Sequence, residues 1–323
     1  MLKLGVSSWS SKYSSSWLLL RKESLVLIKS FRCKHRYHWG KQQNYITVAQ
    51  MEKPPQKSPE VPDNNGGLRC AIITGVSKPY GIGRCLVHKF LEQGYKVAGL
   101  DIKSLENGTM EVQRDLQITS ASKLPPDRFH FVHADISDPG KIKLAVKEAV
   151  EWFGGCIHVL INNAARTKTI LDDEDPMKAF AETIAANLNG AYYLSEAVLP
   201  CMPPGLSSII NISSTRALQS EPNTAAYSAS KAGLCGLTHS QAITLAGRVR
   251  VNAVLPGWIN TDPAGEAALR DEDHRWHPVG RVGIPQDIAE MCLFLADEKR
   301  SGFITGQEFV VDGGVTKKMV YPE

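Results

Sequence analysis

Short apolar runs alternate with longer amphipathic stretches from Leu68 to the C-terminus. The apolar runs are rich in β-branched residues, which is typical of strands that are buried on both faces. Apolar residues three and four positions apart in the longer stretches predict helices. The predicted strands are 69–74, 95–101, 129–134, 157–161, 207–213, 249–254 and 307–311. The predicted helices are 81–93, 139–153, 177–199, 225–246 and 285–297.

This alternation predicts an α/β fold in which a parallel, doubly wound sheet of seven strands carries helices on both faces. Residues 68–323 are expected to form one domain, because the sequence contains no internal repeat and no second core. A segment of this length buries enough apolar surface for a single large core. Fold class alone does not determine function.

Residues 1–67 differ in composition and are predicted to be an N-terminal extension and linker. Residues 1–60 hold 11 Lys/Arg and three acids, which leaves 26 basic and 30 acidic residues for 61–323. The serine-rich, basic segment 1–30 is typical of an organellar transit peptide. A disordered tail, or an upstream extension of a chain that begins at Met51, are the alternatives. A transit peptide implies a mitochondrion or plastid; otherwise the cytoplasm is expected.

Charge and cysteine patterns exclude several classes of function. A net charge of −4 over 61–323 gives no basic surface for nucleic acid. The apolar runs at 17–20 and 25–28 fall far short of the ~20 residues that span a bilayer. The seven cysteines form no Cys-x-x-Cys pair, and no third ligand accompanies His274 and His277, so no metal site is predicted. These two histidines are expected in a lid or on the surface.

A glycine-rich turn joins the first predicted strand to the first predicted helix. Gly75 follows the strand, and Gly81, Ile82 and Gly83 begin the helix. Glycines let the main chain approach a pyrophosphate, which the free N–H groups at the start of a helix attract. A dinucleotide-binding turn is therefore predicted here.

Asp101 ends the second predicted strand. A carboxylate at this position accepts hydrogen bonds from the adenosine ribose and repels a 2′-phosphate, which favours NAD over NADP. Lys78 in the glycine turn and Lys103 beyond Asp101 keep NADP open, because either side chain can reach a phosphate.

Hydroxyl and ammonium groups cluster after the fifth predicted strand. That strand delivers Ser213 and Ser214 at its carboxyl end, where ligands bind in such sheets. Tyr227 comes thirteen residues after Ser214, and Lys231 follows at i+4, on the same face of a helix. A neighbouring cation brings the phenol, whose ordinary pKa is about 10, nearer to working range as a general acid/base. The spacing of Tyr227 and Lys231 alone is weak, because it is common on ordinary helices.

Further motifs follow in order along the chain: His133-Ala134-Asp135-Ile136, Asn162-Asn163-Ala164-Ala165, Asn187-Leu188-Asn189-Gly190, Tyr227-Ser228-Ala229-Ser230-Lys231-Ala232, Pro256-Gly257-Trp258-Ile259-Asn260-Thr261, His277-Pro278-Val279-Gly280-Arg281 and Val311-Asp312-Gly313-Gly314. With the glycine turn, they resemble the short-chain dehydrogenase/reductase family, in its shorter single-domain branch. The resemblance covers nearly all of 68–323.

The resemblance implies a Rossmann fold, a nicotinamide cofactor, and reversible oxidation of a secondary alcohol to a ketone. It implies that Tyr227 exchanges the proton and Ser214 polarises the substrate oxygen. It also implies that Lys231 holds the nicotinamide ribose and that Asn187 links it to a proton-relay water. The positions that match the family's cofactor contacts are Gly75, Ser77, Gly81, Ile82, Gly83, Asp101, Asp135, Ile136, Asn163, Ala164, Tyr227, Lys231, Pro256, Gly257, Ile259 and Thr261.

Two positions depart from the family's pattern. Five residues separate Gly75 from Gly81, where the family has three, and Ala165 replaces a glycine. The longer turn resembles that of the enoyl-thioester reductases of the same superfamily, although those place the lysine further from the tyrosine. Such a reductase and a non-catalytic NAD(P)-binding sensor or scaffold are the alternative functions.

The segment between Thr261 and His277 is expected to be a lid over a small alcohol or carbonyl substrate. Leu269, Arg270 and Trp276 are predicted to line its pocket together with Trp258, although the sequence does not identify the substrate. The family resemblance also implies a homotetramer or homodimer that is joined through the helices at 177–199 and 225–246.

Overall fold

The computed structural model describes residues 67–104, 126–167 and 175–321 of the 323-residue chain. The extension predicted for 1–67 lies outside the described residues apart from Gly67, so the transit peptide stays a prediction.

Seven parallel strands form one sheet in the order β3-β2-β1-β4-β5-β6-β7. They are β1 Cys70–Thr74, β2 Lys96–Asp101, β3 Phe129–His133, β4 Val159–Asn162, β5 Ser207–Ile212, β6 Val249–Pro256 and β7 Glu308–Val311.

Helices connect the strands and cover both faces of the sheet, which confirms the predicted doubly wound architecture. The helices are α1 Ile82–Glu92, α2 Pro139–Phe153, α3 Pro176–Ile184, α4 Gly190–Val198, α5 Ala225–Thr244, α6 Asp271–Trp276, α7 Pro285–Ala296 and α8 Glu298–Ser301. A π-helical segment, Ala185–Asn189, joins α3 to α4. The single helix predicted at 177–199 therefore changes its hydrogen-bonding pattern in the middle.

Alternate side chains of β1 point to opposite faces of the sheet, as they must in a strand. Ala71 and Ile73 pack with buried residues of α1 and α7 on one face. Cys70 and Ile72 pack with buried residues of α2 and α4 on the other. The central strands are therefore buried on both sides, which explains why they appear in the sequence as continuous apolar runs.

Side-chain caps fix where two of the helices begin. Asp138 and Asp175 each accept hydrogen bonds from two main-chain N–H groups in the first turns of α2 and α3. Each cap is followed by a proline, whose fixed φ angle suits the first helical position. None of the helices that the structure describes is long and apolar enough to cross a membrane.

The order of the strands reverses between β1 and β4, which lie side by side at the centre of the sheet. Connections from these two strands leave toward opposite faces, which opens a crevice at their carboxyl ends. The glycine turn after β1 and the segment after β4 both enter this crevice.

Candidate active site

The glycine turn packs against the end of β4 so closely that side chains are excluded from two positions. Gly75 has a φ of +74°, and a Cβ atom there would lie 2.7 Å from the Cα of Ala164. A Cβ atom on Gly83 would lie 2.0 Å from the carbonyl oxygen of Gly75. Asn163 secures the contact, because its Nδ2 donates to the carbonyl oxygen of Thr74 at 2.8 Å. The start of α1 is thereby held against the end of β1.

The first turn of α1 suits an anionic group. The residue that precedes the helix, Gly81, offers no side-chain cap, unlike the aspartates that cap α2 and α3. The N–H groups of a first turn and the helix dipole attract phosphate. The close approach of main chain to main chain leaves this turn without obstructing side chains, so the residues present fit the diphosphate of a dinucleotide.

Arg84 supports the longer turn from within the protein, a role that the sequence alone did not reveal. Its side chain is buried, and its Nε donates to the carbonyl oxygen of Val76 at 3.0 Å. Its Nη2 donates to the carbonyl oxygen of Ser77 at 3.3 Å. The first two residues after Gly75 are therefore held by the Arg84 guanidinium group.

Asp101 lies at the end of β2 and faces this turn. Its carboxylate accepts hydrogen bonds from the main-chain N–H groups of Ser77 at 2.9 Å and Lys103 at 3.0 Å. Lys78, whose role the sequence left open, donates from its Nζ to the hydroxyl of Thr261 at 2.8 Å. The Asp101 carboxylate and the Lys78 ammonium group therefore lie at different parts of the crevice.

Asp135 and Ile136 follow β3 on the side of the crevice where the adenine contact was predicted. Asp135 accepts hydrogen bonds from the N–H group and the hydroxyl of Ser137, at 2.9 and 2.7 Å. Burial acts to raise the pKa of Asp135, but these two hydrogen bonds outweigh it, so the pKa is lowered. Ile136 packs against Gly190, where a Cβ atom would lie 2.7 Å from the carbonyl oxygen of Ile136.

The segment after β6 forms the opposite wall of the crevice. Gly257 donates from its main-chain N–H to the carbonyl oxygen of Val311 at 2.9 Å, and a Cβ atom on Gly257 would lie 2.6 Å from that of Asp312. Ile259 forms an isolated parallel bridge with Gly283. Main-chain contacts therefore fix the path of the segment 256–261, where the sequence predicted the nicotinamide contacts.

Tyr227 and Lys231 lie on one face of α5, beside the carboxyl end of β5, as predicted. The Nζ of Lys231 lies 5.4 Å from the centre of the Tyr227 ring and donates to the carbonyl oxygen of Ile212 at 2.6 Å. The hydroxyl of Ser213 donates to the carbonyl oxygen of Lys231 at 2.7 Å. The two adjacent serines therefore differ: Ser213 ties α5 to β5, whereas Ser214 lines the cavity in front of Tyr227.

Burial dominates the electrostatics of this pair. It lowers the pKa of Lys231 to about 8. It also raises the pKa of Tyr227, although the neighbouring Ser214 hydroxyl and the positive charge of Arg216 act in the opposite direction. The sequence assigned the helpful cation to Lys231, whereas the structure turns the Lys231 ammonium toward a main-chain carbonyl and brings the Arg216 charge to bear on the phenol.

Asn187 lies in the π-helical segment between α3 and α4. Its Oδ1 accepts from the N–H group of Arg166 at 2.7 Å, and its Nδ2 donates to the carbonyl oxygen of Arg166 and to the hydroxyl of Ser230, both at 3.1 Å. Asn187 thus joins the segment after β4 to α5, one residue before Lys231. π-Helical turns occur frequently at functional sites.

A cavity of about 700 Å³ opens in front of Ser214 and Tyr227. Trp258 and Trp276 line it as predicted. The other two residues expected at the pocket, Leu269 and Arg270, are not among its lining residues. The lid segment therefore contributes to the cavity through its C-terminal end.

His277 was expected in a lid or on the surface, and it lies at the end of the predicted lid segment, where it lines the cavity. It is only 2% exposed, so the surface alternative is wrong. Its Nδ1 donates to the carbonyl oxygen of Asp273 at 2.8 Å. Its ring packs beside that of Trp258, with 5.9 Å between the ring centres. His277 is therefore a fixed part of the cavity wall.

The side chains that line the cavity are mixed in character. Thr167, Gln219, Ser220 and Thr224 offer hydrogen-bonding groups, and the two tryptophans offer apolar surface. Within the described part of the chain, no three His, Cys, Asp or Glu side chains are grouped so that they could hold a metal ion.

Known oxidoreductases are similar to this chain in both sequence and structure. A family model described as enoyl-(acyl carrier protein) reductase matches residues 75–316. An uncharacterised oxidoreductase of Thermotoga maritima is 41% identical over 266 residues, which are 79% of this chain and 98% of that protein. A probable galactose dehydrogenase of Rhizobium meliloti is 33% identical, over 82% of this chain and all of that protein. The solved structure of an apo SCOR enzyme from Clostridium thermocellum is 35% identical with a TM-score of 0.65, covering 78% of this chain and 95% of its own.

Proposed function

Because this chain is an oxidoreductase that belongs to the short-chain dehydrogenase/reductase family, we propose that it interconverts a secondary alcohol and a ketone with NAD as its cofactor. The observation that carries this proposal is the position of Tyr227. Its phenol lines a substrate-sized cavity beside Ser214, on the same helical face as Lys231. Such a phenol is placed to exchange a proton with an oxygen atom bound in the cavity.

The hydroxyls of Ser214 and Tyr227 are proposed to bind the substrate oxygen together. Ser214 already accepts a hydrogen bond from the N–H group of Arg216 at 3.1 Å, so its own proton can be shared between the neighbouring Tyr227 phenol and a substrate oxygen. Tyr227 donates its proton to the carbonyl oxygen during reduction and takes it back during oxidation. Fixing both hydroxyls before the reaction lowers the cost of orienting the substrate.

Lys231 and Asn187 are proposed to support this proton exchange. The buried Lys231 ammonium group lies 5.4 Å from the centre of the Tyr227 ring, and we propose that it favours the phenolate form of Tyr227 and holds the ribose of the cofactor. Asn187 donates a hydrogen bond to the hydroxyl of Ser230, the residue before Lys231, and thereby holds this part of α5 in place. In this proposal the two residues replenish the proton that Tyr227 gives up.

The glycine turn, Asp101, Asp135 and the segments 163–164 and 256–261 are proposed to hold the dinucleotide. When bound there, the nicotinamide ring supplies or accepts the hydride. The Asp101 carboxylate supports NAD, because it would repel the 2′-phosphate of NADP. Lys78 donates a hydrogen bond to the hydroxyl of Thr261 at 2.8 Å. NADP stays the alternative, because this ammonium group can bind a phosphate.

An enoyl-thioester reductase is the second candidate, because the matching family model carries that name. The four-residue spacing of Tyr227 and Lys231 favours the alcohol/ketone reaction, since the enoyl reductases that the turn resembles place the lysine further from the tyrosine. A non-catalytic sensor is the third candidate, but the set Asn187, Ser214, Tyr227 and Lys231 is complete in this chain.

The test is to follow the consumption of NADH and of NADPH with a panel of ketones, oxo acids, aldoses and unsaturated thioesters. The proposal expects reduction of at least one carbonyl compound, faster with NADH. Reduction of the unsaturated thioesters alone would establish the second candidate. Cofactor binding without turnover of any compound would favour the sensor.

We also propose that the protein is a homodimer or homotetramer. Three apolar side chains on α3 and α5 are exposed, namely Met177, Phe180 and Ile243. Exposed apolar groups on neighbouring helices are typical of subunit interfaces. Light scattering of the purified chain would contradict this proposal if it gave the mass of a monomer.

A further inference from the structure

Arg216 lies two residues after Ser214 and lines the same cavity as Ser214 and Tyr227. It begins no regular strand or helix but sits in the short 3-10 turn Thr215–Ala217. The hydrogen bond from its N–H group to the Ser214 hydroxyl fixes the main chain at this point. The main chain of Arg216 is thereby fixed next to Ser214, whose hydroxyl is proposed to bind the substrate oxygen.

The guanidinium group is only partly compensated by the protein. Its Nη2 forms an ion pair with Glu221. Its Nη1 is buried, and no residue in the described ranges accepts a hydrogen bond from it. A buried donor without an acceptor is unfavourable, so this group gains from a ligand that supplies one.

Glu221 is a poorly fixed partner. Its side chain is 70% exposed, against 25% for that of Arg216, and it lines the same cavity. An exposed ion pair of this kind contributes little free energy. A carboxylate that enters the cavity can therefore replace Glu221 on the guanidinium group at small cost.

Arg216 and Tyr227 line the same cavity, so a group bound to Arg216 there shares that cavity with the phenol. The charge of Arg216 also opposes the rise in the pKa of Tyr227 that burial causes. Trp258 and Trp276 supply apolar walls for the carbon atoms between the two ends of a ligand.

We propose that Arg216 binds a carboxylate of the substrate, which makes the substrate a hydroxy acid and the product the corresponding oxo acid. This inference rests on the proposed alcohol/ketone reaction at Tyr227. The planar guanidinium group matches the two oxygens of a carboxylate, which a neutral alcohol cannot imitate. Glu221 occupies the guanidinium group until the substrate carboxylate displaces it.

The test compares 2-, 3- and 4-oxo acids with their methyl esters in the wild type, Arg216→Gln and Glu221→Gln. The measured quantity is the ratio of kcat/KM for an acid to kcat/KM for its own ester. We expect the best acid to exceed its ester by at least about tenfold in the wild type, and Arg216→Gln to remove about tenfold or more of that preference. Any effect of Arg216 on Tyr227 is common to acid and ester and cancels in the ratio.

If Arg216→Gln does not fold, the acid/ester ratio of Glu221→Gln provides the test. Removing the competing carboxylate should raise the acid/ester ratio severalfold, whereas a purely structural ion pair would leave the ratio unchanged. An acid/ester ratio of kcat/KM near one in the wild type, or an unchanged ratio in both variants, would overturn this inference while leaving the proposed function intact. Failure to reduce any carbonyl compound would overturn both.

Discussion

The ammonium group of Lys231 donates a 2.6 Å hydrogen bond to the carbonyl oxygen of Ile212, the last residue of β5. Lys231 is only 2% exposed, and burial lowers its pKa to about 8 from an ordinary value of 10.5. The contact ties the helix that carries Tyr227 to the strand that leads to Ser214. Keeping a charge at this buried position costs the protein stability.

Lys231→Met should change how stability depends on pH. Between about pH 8 and 10.5 the unfolded chain keeps the lysine proton that the folded chain has released, so stability of the wild type rises with pH in this window. The wild type should therefore gain about 3 kcal/mol relative to the variant across the window. Denaturant unfolding at pH 7 and at several values up to 10.5 measures this difference. Lys147→Met, at an exposed lysine, should show no such trend.

Gly83→Ala should abolish cofactor binding and destabilise the fold. The new Cβ would lie 2.0 Å from the carbonyl oxygen of Gly75, so either α1 or the glycine turn must move. We expect a loss of about 3 kcal/mol. Gly236→Ala is the matched control, because a Cβ there meets nothing within 4 Å. In the interior of α5 it should stabilise by about 0.5–1 kcal/mol. Thermal unfolding and titration with NADH separate the two variants.

Asp101→Asn should shift cofactor preference toward NADPH. The amide oxygen keeps one acceptor for the neighbouring N–H groups, while the negative charge that opposes a 2′-phosphate is lost. Because juxtaposed like charges cost several kcal/mol, we expect the NADPH/NADH ratio of kcat/KM to rise about a hundredfold. Asp127→Asn, at an exposed position before β3, should leave the ratio as it is. An unchanged ratio in Asp101→Asn would show that this carboxylate does not face the ribose.

Asn187→Ala should weaken the contact between α5 and the segment after β4. It removes three hydrogen bonds, two to the main chain of Arg166 and one to Ser230. We expect a loss of about 2–3 kcal/mol in the free energy of unfolding. A double-mutant cycle with Ser230→Ala should give a coupling energy of about 1 kcal/mol, and a value near zero would mean that the contact is incidental.

The fold was predictable from the sequence because two signals are strong, namely the short apolar runs of the strands and the three-and-four spacing of apolar residues in the longer helices. The seven strands are short segments rich in apolar residues, and the structure moves most of their ends by only one or two residues. The short helices α6 and α8 were missed, since six and four residues are too few to establish a helical period. The π-helical segment at Ala185–Asn189 has no distinct pattern of apolar residues, so the sequence predicts an ordinary helix there.

The sequence predicted which residues form the candidate site, but it did not predict where their charged groups point. Spacing along the chain places Tyr227 and Lys231 on one face, yet it cannot say that the ammonium turns to Ile212. Arg216 and His277 were not predicted to line the cavity, because their burial depends on elements distant in sequence. The only hint in the sequence that Arg216 lines the cavity was its position two residues after Ser214.

The central claim is that hydride reaches a carbonyl carbon while Tyr227 supplies the proton. The most direct measurement uses NADH that carries deuterium at C4 and finds the label in the product by mass spectrometry, for the wild type, Tyr227→Phe and the control Tyr192→Phe. We predict deuterium on the alcohol carbon with the wild type and the control, and a rate at least about a thousandfold lower with Tyr227→Phe. Undiminished transfer in Tyr227→Phe, or deuterium delivered only to an unsaturated thioester, would contradict the account.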